Sequence, residues 1–209
     1  MPGAWFIEGL LLGVGLFAAP GPKDTLVIRQ GVGARPVWGV VAICVLADAV
    51  LIAVGIAGIG VLLGHSPRAE SALVVAGAVY LAWFGAQRLR ASLHNASESA
   101  QGDSTAASQR GVLKTAVLLG FANPYAWLDT VVLIGSIGAS KPAAQQVPFG
   151  AGTMLASLLW FVALAWGSRR LAGLFKSARA WRLLDAAIAL LMAYLAFQLL
   201  AGAWRGIAM

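Results

Sequence analysis

Charge is scarce in this chain: of 209 residues only 11% are Asp, Glu, Lys or Arg, while 60% are hydrophobic. So little charge cannot keep a domain of this length dissolved, which excludes a soluble fold. Cysteine is nearly missing too. The single Cys44 rules out an intrachain disulfide and reads as a small packing residue. The two histidines, His65 and His94, stand apart, and no Cys/His spacing resembles a metal site, so neither metal nor other cofactor is expected. No paired-His motif, Ser/His constellation or nucleotide loop occurs, which argues against an enzyme. The net charge of +7 is spread among loops rather than gathered in a patch, and no nucleic-acid partner is expected.

What the chain does have is apolar length. Six stretches, about 4–20, 37–63, 70–92, 112–137, 147–167 and 182–204, can cross a bilayer. The first carries Glu8 and has no basic flank before it, so it is expected to remain as a mature helix rather than serve as a secretory signal. Lys23, Arg29, Arg35, Arg88, Arg90, Arg110, Lys114, Arg169, Arg170, Lys176, Arg179 and Arg182 fall near the first, third and fifth loops. Only Arg68, Lys141 and Arg205 fall on the other side. Twelve against three puts the former loops in the cytoplasm and both termini outside. A re-entrant first stretch would instead give five spans and a cytoplasmic N-terminus; the asymmetry favours six. Residues 94–110, rich in Ser, Ala and Gln, read as a cytoplasmic linker between a first three-helix half (1–93) and a second (111–209). The triplet Asn95-Ala96-Ser97 then faces the wrong side for glycosylation.

Two apolar stretches are interrupted by proline in comparable places, Gly21-Pro22-Lys23-Asp24 and Asn123-Pro124-Tyr125. Irregular backbone at membrane depth survives only where protein buries it or it lines a cavity. Paired interruptions in two halves point to a substrate site. Leu46-Ala47-Asp48 parallels Leu155-Ala156-Ser157, and Tyr80-Leu81-Ala82-Trp83 parallels Tyr194-Leu195-Ala196-Phe197, in the same order after each break. The expected fold is therefore an all-α polytopic bundle of six transmembrane helices in a 3+3 inverted-topology repeat, with its site near the bilayer midplane. Three spans per half require the second copy to be inverted.

Pro22 suits the first turn of a new helix with Asp24 near its positive end, and Asn123 suits an N-cap ahead of Pro124. Both breaks could offer backbone N–H groups to an anionic part of a ligand, or they could be kinks stabilised by neighbouring helices. Asp48 lies mid-span at helical spacing from Cys44, Ile52 and Gly55 and needs an interior partner or cavity. Asp129 is expected on one helical face with Tyr125, Val132 and Ser136. Two such acids could bind a cationic side chain or alternate between proton and substrate. Glu8 and Asp185 read as structural residues near span ends, able to pair with Lys or Arg. Trp38, Trp181 and Trp204 read as interfacial anchors. Gly9, Gly13, Gly55, Gly60 and Gly64 suit close helix contact.

On these motifs the chain resembles the lysine exporter (LysE) superfamily, specifically its bacterial exporters of lysine and arginine. The likeness rests on Gly21-Pro22 with Arg29-Gln30-Gly31, on Asp48, on Gly77 to Phe84, on Asn123-Pro124 through Asp129, on Ala156 to Phe161 and on Trp181-Arg182. It implies export of basic amino acids through the inner membrane, driven by the proton gradient, with Asp48 and Asp129 at acidic positions of the family. Lys23-Asp24 departs from the Gln-Asn usual after Gly-Pro, and the added cation could neutralise Asp24 or repel a cationic substrate. The candidate site thus comprises Asp48, Asp129, Asp24 and Lys23 for substrate or proton, and Gly21, Pro22, Asn123, Pro124, Tyr125 and Ser157 for the broken helices and gating. Expected partners are a small amino acid, protons and lipid, with homo-oligomerisation left open. A neutral amino acid or another small cation is the alternative cargo, and a non-transporting membrane assembly subunit the alternative role.

Overall fold

The structure, a computed structural model, describes residues 2–18, 21–33, 35–59, 66–94, 109–173 and 177–207. Every regular element among them is helical: α1 (Pro2–Phe17), α2 (Pro22–Val32), α3 (Trp38–Val54), α4 (Pro67–His94), α5 (Gln109–Phe121), α6 (Pro124–Ala139), α7 (Ala143–Leu171) and α8 (Ala178–Ile207). A π turn, Gly55–Ile59, extends α3, and Trp127–Ile134 within α6 is also wound as a π-helix. Helices α3, α4, α7 and α8 are each long and apolar enough to cross a membrane. The pairs α1/α2 and α5/α6 bend by 76° and 44° at short breaks; with each pair taken as one broken span the candidates among the described residues number six, and as re-entrant loops four. Large apolar side chains such as Leu11, Val147, Leu183 and Leu190 point outward, as a lipid-facing surface requires.

The first bend corrects the loop assignment. Residues 22–32, counted with the first cytoplasmic loop, form α2 and lie largely inside the bundle. Pro22 begins that helix because its missing N–H costs nothing at the first position. Lys23 is consequently no loop cation, and it drops out of the sidedness count.

Packing between the halves is reciprocal. Helix α1 lies along α7, and α5 lies along α3; α2 touches α7, while the π segment of α6 touches α3; α4 pairs with α8. Small residues make the close crossings. A Cβ on Gly13 would stand 2.6 Å from that of Ala156, and one on Gly120 would stand 2.7 Å from that of Ala47. Gly9 and Gly152 leave room for the carbonyls of Phe149 and Phe6, and a Cβ on Gly55 would come within 2.8 Å of Gly135. Gly9, Gly13 and Gly55 thus sit where close contact was expected, while Gly60, Gly64, His65, Lys176 and the Asn95 triplet lie outside the described residues.

Of the expected anchors, Trp38 is half exposed with Arg169 over its ring at 5.8 Å. Trp181 is instead buried beneath Arg29, 5.4 Å from its ring. A guanidinium occupies the face that lipid headgroups were expected to cover. The side chain of Trp204 lies outside the described set. Glu8 accepts a hydrogen bond from Lys141 at 2.7 Å. Asp185 is fully buried, 2.9 Å from Arg29 and 3.7 Å from Arg88.

Candidate functional site

Helix α2 opens with its own cap. The carboxylate of Asp24, at the third helical position, accepts the Gly21 N–H at 2.6 Å, and its second oxygen accepts the Trp160 indole N–H at 2.7 Å. Thr25 donates its hydroxyl to the Gly21 carbonyl at 3.1 Å. At the second break the Asn123 side chain accepts the Tyr125 N–H at 3.0 Å, and Trp127 donates its indole N–H to the Phe121 carbonyl at 2.7 Å. Both breaks therefore bond backbone N–H groups that were candidates for a ligand's anion. A carboxylate or amide a few residues along the same chain reaches such a donor before any diffusing ligand can.

Lys23 does not pair with Asp24. Its ammonium sits on Asp48, reaching from α2 to α3, with the Phe161 ring 5.7 Å away. The Lys23 side chain is 11% exposed and that of Asp48 not at all, so this ion pair is taken out of water. Ser157, from α7, donates its hydroxyl to the second Asp48 oxygen at 2.7 Å. Asp48 and Ser157 hold equivalent places in the two Leu-Ala-polar traces, so a pair that matched in sequence also meets in space.

Both breaks border one cavity of 40 Å³, lined by Gly21, Pro22, Lys23, Asp24, Asn123, Tyr125, Asp129 and Thr130, with Leu16, Phe17, Ala126 and Phe161 completing the wall. That volume has room for a water molecule and is too small for an amino acid. Asp129 makes no hydrogen bond or ion pair among the described residues, yet it lies within the electrostatic reach of Lys23 and Asp48. The π winding at Trp127–Ile134 alters the face expected from a 3.6-residue period, because each turn takes an extra residue. Tyr125 and Asp129 still share the cavity, whereas Val132 and Ser136 do not line it. Pro124 supplies the first position of α6, as its fixed φ favours.

A second cavity, of 410 Å³, is large enough for an amino acid. It opens where Arg29, Arg35 and Arg88 gather, and Tyr80, Trp83, Phe84 and Trp181 line it. Pro22 borders both cavities, so the first break stands between them. No group of three or more potential metal ligands occurs among the described residues.

Trp160 and Phe161 are the site residues that reading for acids and prolines passed over. Their signal was present: Trp160 follows Ser157 by three positions, one turn along the same face of α7.

The family model described as LysE type translocator matches residues 14–202. A lysine exporter LysE of Corynebacterium efficiens is 32% identical over 222 aligned residues, covering 93% of this chain and 97% of its own length. An arginine exporter protein ArgO of Enterobacter sp. (strain 638) is 30% identical over 196 residues, covering 94% and 93% respectively. No solved structure matches significantly.

Proposed function

The chain belongs to the LysE type translocator family, and on that premise we propose that it exports basic amino acids, arginine or lysine, across a bacterial inner membrane in exchange for protons. It acts as a carrier and not an enzyme. The observation that carries this reading is that both helix breaks, Asp24 and Asp129 line one interior cavity, with Asp48 joined to it through Lys23. Intramembrane acids are costly and mark ion and substrate paths. The arginine and lysine exporters that align along nearly the whole chain support the cargo class.

In this reading residues 1–93 and 111–209 are inverted copies joined by a cytoplasmic linker, and both termini are periplasmic. The arginine-lined cavity is the cytoplasmic vestibule, closed from the central site near Pro22. The outer side is sealed by the Gly55–Gly135 crossing and by the cluster of Phe17, Ile52, Ile134 and Phe149. Asp48 and Asp129 receive the substrate cation or the proton. The broken ends at Gly21-Pro22 and Asn123-Pro124 receive the substrate carboxylate once their local hydrogen bonds open, with Tyr125 and Ser157 moving as part of that gate.

Coupling has an electrical reason. Carrying one positive charge outward against an inside-negative potential costs about 2.3 kcal/mol per 100 mV. One proton entering per cation leaving cancels that work and leaves the pH gradient as drive.

Inverted membrane vesicles with an imposed pH gradient should accumulate labelled arginine or lysine, and Asp48→Asn and Asp129→Asn should abolish it. Absence of gradient-driven uptake of both amino acids refutes the cargo. Normal transport by both variants refutes the site. The neutralisation of Asp48 by Lys23 favours one second reading, a neutral amino acid as cargo, and competition of labelled leucine or alanine uptake in the same vesicles decides it. For topology, an external thiol reagent on spheroplasts should label Ala208→Cys and spare Ser104→Cys.

A further inference from the structure

Lys23 stands at the second position of α2, next to the positive end of the helix macrodipole, where a cation is disfavoured. What holds it there is Asp48. One Asp48 oxygen carries the Lys23 ammonium and the other the Ser157 hydroxyl, so both oxygens are already engaged and the lysine stands where an arriving cation would sit. The adjoining cavity of 40 Å³ likewise has no room for an amino acid while the lysine stem stays in place.

We propose that Lys23 is a tethered occupant of the cation site on Asp48, which an arriving basic amino acid must displace. This deepens the export reading and rests on it. The exchange is chemically matched: the leaving group is a primary ammonium on a four-carbon stem, and the arriving group is the ammonium of lysine or the guanidinium of arginine. Ser157 keeps the carboxylate fixed throughout, because its bond goes to the oxygen that Lys23 does not use. The displaced ammonium has a destination. Asp129 lines the same cavity without a hydrogen bond or ion pair among the described residues, inside the electrostatic range of Lys23. A swing of the stem towards Asp129 uncovers the Asp48 carboxylate. The charges facing Lys23 are Asp48 of α3, Asp24 of its own helix and Asp129 of α6, with the ring of Phe161 from α7. Of these acids, Asp24 is already held by the Gly21 and Trp160 N–H groups, which leaves Asp129 as the alternative partner for the ammonium. Lys23 thereby sets the apparent affinity: substrate binds only to the fraction of molecules in which the site is vacated.

The test uses the purified full-length protein in nanodiscs, titrated calorimetrically with arginine and with lysine. Lys23→Gln should bind both about tenfold or more tightly than wild type, because the occupied fraction no longer subtracts from the binding-competent one. Lys23→Arg, which keeps a resident cation, should stay near wild type. In the wild type, arginine should speed the reductive methylation of Lys23, followed by mass spectrometry, because the ammonium leaves its buried pair. A purely structural lysine would be protected or unaffected. Unchanged or weaker binding by folded Lys23→Gln overturns the proposal. Should that variant fail to fold, the methylation result decides alone, and slower or unaltered labelling with arginine overturns it. If the wild type binds neither amino acid, the export reading fails and takes this inference with it; binding without tightening in Lys23→Gln removes only the inference.

Discussion

At the first break the chain turns by 76°, and the Gly21 N–H is held by the ionisable Asp24; at the second it turns by 44°, and the Tyr125 N–H is held by the neutral amide of Asn123. The first break is tied outward. Lys23 reaches Asp48 on α3, and Asp24 reaches Trp160 on α7, which belongs to the other half of the chain. The second break is self-contained, with Asn123 bonded to Tyr125 and Trp127 to Phe121. Its acid, Asp129, keeps no such partner among the described residues. The difference teaches that one break is a clamp assembled from charges and the other a local kink beside an unclaimed carboxylate.

That contrast can be broken by mutation. The largest effect belongs to Asp48→Asn, which strands the Lys23 ammonium away from water and should destabilise the protein by about 3–5 kcal/mol. Asp129→Asn removes no partner, and its thermal stability should stay within about 1 kcal/mol of wild type. Comparable melting losses for the two would show that Asp129 is as tightly held as Asp48. Next comes Asp24→Ala, which orphans the Gly21 and Trp160 N–H donors and should cost about 2–4 kcal/mol in all, each orphan falling in the range of about 1–3 kcal/mol. Trp160→Phe restores half of that deficit by removing one orphan, and a double-mutant cycle in melts measures the coupling. Asn123→Ala, the equivalent change at the neutral break, should cost only about 1 kcal/mol, as loss of one helix cap does. A cost as large as that of Asp24→Ala would erase the asymmetry. The smallest effect is Glu8→Gln, about 0–1 kcal/mol, because Glu8 is half exposed and its pair with Lys141 is screened.

Much of this architecture is written in composition. Runs of Leu, Val and Ala fixed α3, α4, α7 and α8 as spans to within a few residues, since only length and hydropathy are needed. Pro22 and Asn123-Pro124 located both breaks, because proline fixes φ and removes a donor wherever it stands. The cost of a carboxylate in hydrocarbon singled out Asp48 and Asp129 as interior residues; Asp129 borders the cavity between the breaks, and Asp48 is buried against Lys23. What stayed illegible was pairing. Lys23 could have faced Asp24, lipid headgroups or Asp48, and a one-dimensional pattern gives no reason to choose the third. The burial of Trp181 under Arg29 was hidden for the same reason: a tryptophan beside arginine near a span end looks like an anchor until its neighbours are known. The π winding of α6 was equally silent, as a single extra residue per turn leaves no mark in a short apolar run.

The bond from Trp160 to Asp24 also has a meaning for biogenesis. Residue 24 leaves the ribosome long before residue 160 exists, so the polar start of α2 spends most of synthesis without its later partner. A nascent chain ending before residue 109 would carry an α2 start with Asp24 on the Gly21 N–H and Lys23 on Asp48, yet still lacking Trp160 and the Ser157 hydroxyl. The contacts on Asp24 and Asp48 are therefore complete only when the second half of the chain is in place. Separately expressed halves should regain it only by docking on each other.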